Sequence, residues 1–278
     1  MLANKTVVFL GAGSMAEAMI SGMVEADIVP REQIIVSNRS NKERLKELNG
    51  KYGVRGLTRE ELACEEADLF ILAMKPKDAE AALDSIKDEL QPHQALLSVL
   101  AGITTDYMEE RLGTGNQVIR VMPNTSSMIG ESATAIAPGK YTRMDTVMDA
   151  KELLRSIGEV FVLEEDQMDL FTGIAGSGPA YFYYLMEHIE KTAKENGMDP
   201  EAARKMGAQT ILGAAKMMLS QEDSPEELRK KVTSPNGTTQ AGLEALHEYG
   251  GGEAISQAVK SAANRSRELS EQLKKAMV

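Results

Sequence analysis

Two regimes of apolar patterning divide the chain, short runs first and helical stripes afterwards. Thr6–Leu10 is a β-branched apolar run of strand length, the pattern of a strand buried on both faces. Comparable runs follow at Ile34–Ser37, Asp68–Ala73, Ala95–Leu100 and Gln117–Met122, and Thr134–Ala137 and Val160–Leu163 can extend the same sheet. Helical patterns lie between them: Met19, Ile20 and Met23; Ala79, Ala82 and Leu83 after Pro76; and a segment near Tyr141–Ile157 that Gly158 stops. Thr58-x-x-Glu61 reads as a capping box before one further short helix. Such alternation predicts an α/β domain over residues 1–163, built on a doubly wound, mainly parallel sheet.

After Glu164 the strand pattern ceases, and residues 164–278 read as an all-helical domain. A glycine-rich break at Phe171–Tyr181 leads into a helix that starts at Pro179 and shows an apolar face through Phe182, Leu185 and Met186. Gly197 stops it, and Asp199-Pro200 starts the next. Small and apolar residues (Met206, Gly207, Ile211, Gly213, Ala214, Met217, Met218) circle much of that helix, which predicts burial on more than one side. In so small a domain this implies that a partner subunit completes the core, as in an obligate dimer. Glu253–Val278 forms a last helix. Before it, Pro235, Asn236 and Gly237 force a turn, and Gln240 onward reads as helix with Leu243 and Leu246 facing inward. Hydroxyls and unpaired N–H groups thus meet at a helix start, which serves either as an anion site or as an ordinary Ser/Thr cap.

Charge and cysteine content narrow the setting. With 31 basic and 42 acidic residues the net charge is −11, which argues against a general nucleic-acid binder. Cys64 is alone, so no intramolecular disulfide forms, and a reducing, cytoplasmic setting is expected. The first apolar run is too short for a membrane span. His93, His188 and His247 show no metal-ligand spacing, and no metal is expected.

The first strand stops at Gly11-Ala12-Gly13-Ser14-Met15-Ala16, a G-x-G-x-x-A pattern placed after a strand and opening a helix. Gly11 permits the tight turn, Gly13 lets a pyrophosphate approach, and Ala16 allows close helix–strand packing, so the sheet is read as Rossmann-type with a bound dinucleotide. At the end of the second strand Asn38-Arg39-Ser40 replaces the acidic residue of an NAD site, and suits the 2′-phosphate of NADPH, with NADH possible. Met74, Lys75, Pro76, Ala101, Gly102, Pro123 and Asn124 fall at further strand ends, where ligands of open parallel sheets bind. Lys75 reads equally as a solvated charge.

Five motifs in order, Gly11–Ala16, Met74-Lys75-Pro76, Val121–Thr125, Gly176–Tyr181 and Ser234–Thr239, resemble those of pyrroline-5-carboxylate reductases, and the resemblance covers the chain end to end. It implies hydride transfer from NAD(P)H to the C=N carbon of 1-pyrroline-5-carboxylate, giving L-proline in the final step of proline biosynthesis. It also implies that the helix-entry loop holds the substrate carboxylate through Ser234, Gly237 and the amides of Thr238 and Thr239. The Thr239 hydroxyl becomes the catalytic candidate at the ring nitrogen. Asn236 stands where many members have glycine, and asparagine tolerates the left-handed conformation. A homodimer is implied, and a decamer of five dimers is known among members. Two other readings compete. A β-hydroxyacid dehydrogenase would need a lysine and an asparagine where this chain, aligned on Gly173, Gly176 and Gly178, has Phe182 and Met186. A non-catalytic dinucleotide-sensing module would leave Thr239 without consequence.

Overall fold

A computed structural model describes residues 2–113 and 115–276. Its centre is an eight-stranded sheet: β1 (Val7–Leu10), β2 (Ile34–Asn38), β3 (Arg55–Thr58), β4 (Leu69–Leu72), β5 (Ala95–Ser98), β6 (Gln117–Met122), β7 (Ser132–Pro138) and β8 (Gly158–Val162). The order is β3-β2-β1-β4-β5-β6-β7-β8. All pairs are parallel except β6 with β7. The chain leaves β1 in one direction to build β2 and β3 and returns past β1 to build β4 onward, so a crevice opens at the carboxyl ends of β1 and β4.

Period-two patterning feeds both faces of this sheet. Val7, Phe9, Leu69, Ile71, Ala95 and Leu97 enter the core on one face, and Val8, Leu10, Phe70, Leu72 and Leu96 the core on the other. Helices α1 (Ser14–Glu25), α2 (Lys42–Tyr52), α3 (Ala79–Asp84), α4 (Thr105–Leu112) and α5 (Met144–Leu154) alternate with the strands. The two edge strands depart from the buried pattern: β3 has no fully buried side chain, and β8 buries only Val160. The capping box expected at Thr58 is corrected here. Thr58 ends β3, and its N–H and hydroxyl both donate to the Glu61 carboxylate at 2.8 Å, which closes a turn and starts no helix.

Beyond β8 the chain is helical. Met168–Phe171 (α6) runs into a π-helical turn at Thr172–Gly176, followed by α7 (Gly178–Glu195), α8 (Pro200–Ser220), α9 (Pro225–Lys231), α10 (Thr238–Glu248) and α11 (Gly251–Ala276). The expected last helix, Glu253–Val278, begins two residues earlier, and its final two positions lie outside the described residues.

Packing divides the chain into two compact units, one running to Ser177 and resuming at Ser261, the other spanning Gly178–Lys260. That differs from the expected division between residues 163 and 164. The first unit keeps α6 and the end of α11 because Met168 is fully buried against Met122, Ala135 and Ala137, and the Ser266 hydroxyl donates to Asp169 at 2.7 Å. In the second unit the apolar side chains of α7 and α8 stay open within one chain: Phe182, Met206, Leu212, Met217 and Met218 are all about half exposed, and only Ala203 of α8 is buried. The expected burial of α8 on several sides is therefore not met by the single chain.

Candidate functional site

The first unit holds a cleft of about 1100 Å³ at the carboxyl ends of β1, β2 and β4. Gly11 forms its floor with φ +117°, and a Cβ there would run into the Ala73 carbonyl, so only glycine fits. The N-cap of α1 is Gly13, and no side chain caps it. First-turn amides of α1 therefore remain available to an anion. Of the expected cofactor residues, Gly11, Gly13, Ser14, Met15, Asn38, Arg39, Ser40, Met74 and Lys75 line this cleft. Ala16 is fully buried beneath it, as close helix–strand packing requires.

Others in that set are not brought to the cleft lining. Pro76 starts a 3-10 turn below it. Ala101, Gly102, Pro123 and Asn124 lie beyond it, and a Cβ on Gly102 would meet the Leu273 side chain of α11 at 2.6 Å. Asn124 is buried and fully engaged: its Oδ1 accepts from the Ser126 N–H at 3.0 Å and its Nδ2 donates to the Ala175 carbonyl at 3.0 Å. It thereby ties the end of β6 to the π-helical turn.

Asn38 acts as a brace. Its Oδ1 accepts from the Ser40 and Asn41 N–H groups and its Nδ2 donates to the Asn41 carbonyl, which shapes the loop that presents Arg39 and Ser40. Arg39 and Lys75 are exposed and make no ion pair among the described residues. Arg44, Arg59 and Lys77 also line the cleft, and sequence reasoning missed all three. With five basic side chains against the single acidic Asp78, the lining is cationic in a chain of net charge −11. The local signal for Arg44 is its place in the first turn of a helix capped by Asn41, whose side chain accepts from the Arg44 N–H at 3.0 Å.

Glu17 of α1 is the most perturbed carboxyl here. Lys51 at 2.8 Å, then Arg44 and then Tyr52 at 3.0 Å hold its pKa at about 2. A carboxyl lowered by folding adds stability above its unfolded value near 4.5 and loses it as the pH falls toward about 2. Allowing for solvent screening, Glu17→Gln should cost about 1–2 kcal/mol at pH 7 and nothing near pH 2. Urea titrations at several pH values check this: the two stability curves should converge as the pH falls from 4.5 to 2.

The second unit carries the other predicted residues. Val232 ends α9, and Gly237 is the N-cap of α10, so the helix starts at Thr238, two residues earlier than expected. No side chain caps it, which corrects the Ser/Thr-cap reading. The Gly237 N–H donates to the Ser234 carbonyl at 3.0 Å, and the Gln240 side chain accepts from the Asn236 N–H at 2.8 Å. Asn236 sits at φ +57°, the left-handed conformation. Ser234, Thr238 and Thr239 are exposed, and among the described residues none of their hydroxyls is bonded within the chain. Here exposed hydroxyls and open first-turn amides share one bend.

Among the described residues no three His, Cys, Asp or Glu side chains come together as a metal site. Cys64 is buried, and burial pushes its thiol pKa up, away from nucleophilic use. No helix among the described residues is long and apolar enough to cross a membrane.

Comparison with known proteins places both halves of the chain. Residues 165–269 match a family model described as pyrroline-5-carboxylate reductase dimerisation, and residues 6–102 match one described as NADP oxidoreductase coenzyme F420-dependent. Pyrroline-5-carboxylate reductase 1 of Bacillus spizizenii is 60% identical over 272 residues, covering 98% of this chain and 92% of that protein. The pyrroline-5-carboxylate reductase structure from Coxiella burnetii superposes with a TM-score of 0.89 at 32% identity, over 96% of this chain and 98% of the other. The Plasmodium falciparum pyrroline carboxylate reductase, solved with NADP bound, gives 0.85 at 28% identity, over 96% and 99%. Both halves of the chain, the cationic glycine-loop cleft and the helical region that carries the open bend, thus fall within one lineage, and the chain belongs to the pyrroline-5-carboxylate reductase family.

Proposed function

We propose that the chain reduces 1-pyrroline-5-carboxylate to L-proline, the final step of proline biosynthesis, with NADPH as the preferred donor and NADH as a second one. The observation that carries this reading is the bend at Ser234–Thr239, an uncapped helix start with three exposed hydroxyls that are unbonded among the described residues. That donor set fits a small carboxylic acid better than a neutral group. The first unit fits the dinucleotide: the Gly11 floor excludes a Cβ, α1 is uncapped, and Arg39 and Lys75 are without ion pairs among the described residues. The nicotinamide, when bound, would supply the hydride. Gly11, Gly13, Ser14, Met15, Arg39, Ser40, Met74 and Lys75 hold the dinucleotide, and Ala16, Asn38, Pro76, Ala101, Gly102, Pro123 and Asn124 frame the strand ends that carry them.

Within this reading each residue of the bend has a task. Ser234 Oγ and the amides of Thr238 and Thr239 bind the substrate carboxylate, and Gly237 keeps the backbone open to it. Such hydrogen bonds are worth about 1.5–3 kcal/mol each. Two or three outweigh the helix-dipole contribution of about 0.3–1 kcal/mol, so the donors set acid specificity. A protonated imine is available from solution, so the Thr239 hydroxyl needs only to position or relay the proton at the ring nitrogen. Alignment of donor and acceptor supplies most of the rate, up to about 7–11 kcal/mol in favourable cases. No general acid of shifted pKa is required.

The decisive experiment follows NADPH oxidation with pyrroline-5-carboxylate, pyrroline-2-carboxylate and, in the reverse direction, 3-hydroxyisobutyrate with NADP. Turnover of pyrroline-5-carboxylate is expected; turnover of the hydroxyacid alone overturns the assignment. Cofactor choice has its own test. Arg39→Ala removes a guanidinium placed for the 2′-phosphate and should raise KM for NADPH about tenfold, the loss of one charge-assisted hydrogen bond, with NADH hardly affected. An equal effect on both coenzymes removes Arg39 from that role.

The open apolar faces of α7 and α8 suit a homodimer built from the region between residues 164 and 278, and a decamer of such dimers is the assembly proposed in solution. The proposed setting is the cytoplasm, where a lone reduced Cys64 is stable.

A further inference from the structure

Arg44 has all three guanidinium nitrogens committed to the chain's own groups. Its Nε donates to the Ala12 carbonyl of the glycine loop at 3.0 Å, its Nη2 pairs with Glu17 of α1, and its Nη1 pairs with Glu47 at 2.7 Å. Only about a fifth of the side chain is exposed, yet the residue lines the cleft. We propose that Arg44 is a positioning residue for the pyrophosphate shared by NADPH and NADH, acting through the glycine loop. This rests on the cofactor reading given above.

Two physical consequences lead to it. The peptide group is planar and trans, so the carbonyl of Ala12 and the N–H of Gly13 point in opposite senses. Fixing the carbonyl on Arg44 therefore fixes the N–H that a pyrophosphate would meet. Glu17 lies in the first turn of α1, where an uncompensated carboxylate would repel a bound phosphate. Arg44 and Lys51 together cancel it. Arg39 differs on each count: it is exposed, makes no ion pair among the described residues, and faces the cleft where it can meet a ligand directly. Lysine cannot replace Arg44, because one ammonium cannot span the Ala12 carbonyl, Glu17 and Glu47 in a fixed plane.

Arg44→Met and Arg44→Lys are measured beside wild type by fluorescence titration with NADPH and NADH, steady-state kinetics and thermal melting. Arg44→Met is expected to raise Kd for both coenzymes alike, about tenfold, the worth of one charge-assisted hydrogen bond. KM for the imine and kcat at saturating coenzyme should change less than twofold. Arg44→Lys keeps a positive charge beside Glu17 and should fold as wild type does, while still weakening both coenzymes. Loss confined to NADPH would make Arg44 a 2′-phosphate ligand and overturn the proposal. A lowered melting temperature with unchanged Kd in both variants would reduce Arg44 to a structural role and overturn it equally. Should Arg44→Met fail to fold, the Arg44→Lys titration alone decides. Failure of the wild-type protein to bind either coenzyme strikes the cofactor reading instead, so the two failures are distinguishable.

Discussion

Glu165→Ala is expected to destabilise the first unit by about 3 kcal/mol, the low end of the cost of removing one partner from a buried ion pair. Arg120 lies on β6 and is only 2% exposed. Its Nη1 pairs with Glu165 at 2.7 Å, and its Nη2 reaches Asp169 at 3.7 Å. Nε and Nη2 have no hydrogen-bond partner among the described residues. Without Glu165 a buried guanidinium keeps one distant carboxylate, and the Thr105 hydroxyl loses its acceptor at 3.1 Å. Because Glu165 is itself about 30% exposed, water will enter and the upper end of the range is not reached. The double variant Arg120→Met with Glu165→Leu removes the charge and its partner together, and should regain most of the loss. Urea unfolding at one fixed protein concentration, with the m-value unchanged, provides the measurement. A loss below about 0.5 kcal/mol, the range of an ordinary surface substitution, would mean that Arg120 is solvated after all.

That network also shows where reading the sequence reaches its end. Gln-Val-Ile-Arg-Val-Met at residues 117–122 reads as a buried strand, and all six side chains are buried. Nothing local says that the arginine in its middle is compensated by carboxylates more than forty positions later. The strands with unbroken apolar runs were legible because a sheet covered on both faces demands such runs. β3 was not, since Arg55-Gly56-Leu57-Thr58 is an edge strand that buries no side chain fully and so carries no strand signature.

The candidate site divides along the same line. Gly11, Gly13 and Ser14 follow from backbone requirements that a short motif expresses completely, and they meet in the cleft. Arg44, Arg59 and Lys77 come from three separate segments, and only the folded sheet gathers them around the glycine loop. Asn38 illustrates a subtler shift. Its amide is used up within its own loop, so its contribution is to hold Arg39 and Ser40 in place. At the other site the sequence puts the helix start at Gln240, because Pro235, Asn236 and Gly237 signal a turn and the apolar spacing begins only with Leu243 and Leu246. The turn through Asn236 and Gly237 carries the chain into α10 two residues sooner, which turns both threonines from loop residues into first-turn residues with open amides.

On the proposed reading, this placement makes Thr239 the most consequential position of the second unit. Thr239→Ala keeps the backbone amide that the proposal assigns to the substrate carboxylate and removes only the hydroxyl. Substrate affinity should therefore change little, while kcat falls about a hundredfold, as when a reacting group loses its orientation or a proton-transfer partner. NADPH affinity should stay constant, because the residues proposed to hold the cofactor belong to the first unit. Thr239→Ser retains a hydroxyl at the same Cβ and should recover most of the rate, and this separates the hydroxyl from the packing of the lost methyl. Ser234→Ala should give the opposite pattern, a raised KM for the imine with kcat nearly kept, since a carboxylate donor serves ground state and transition state alike. If Thr239→Ala instead raises KM and leaves kcat at the wild-type value, the hydroxyl is a binding group, and the proton at the ring nitrogen must be managed by water.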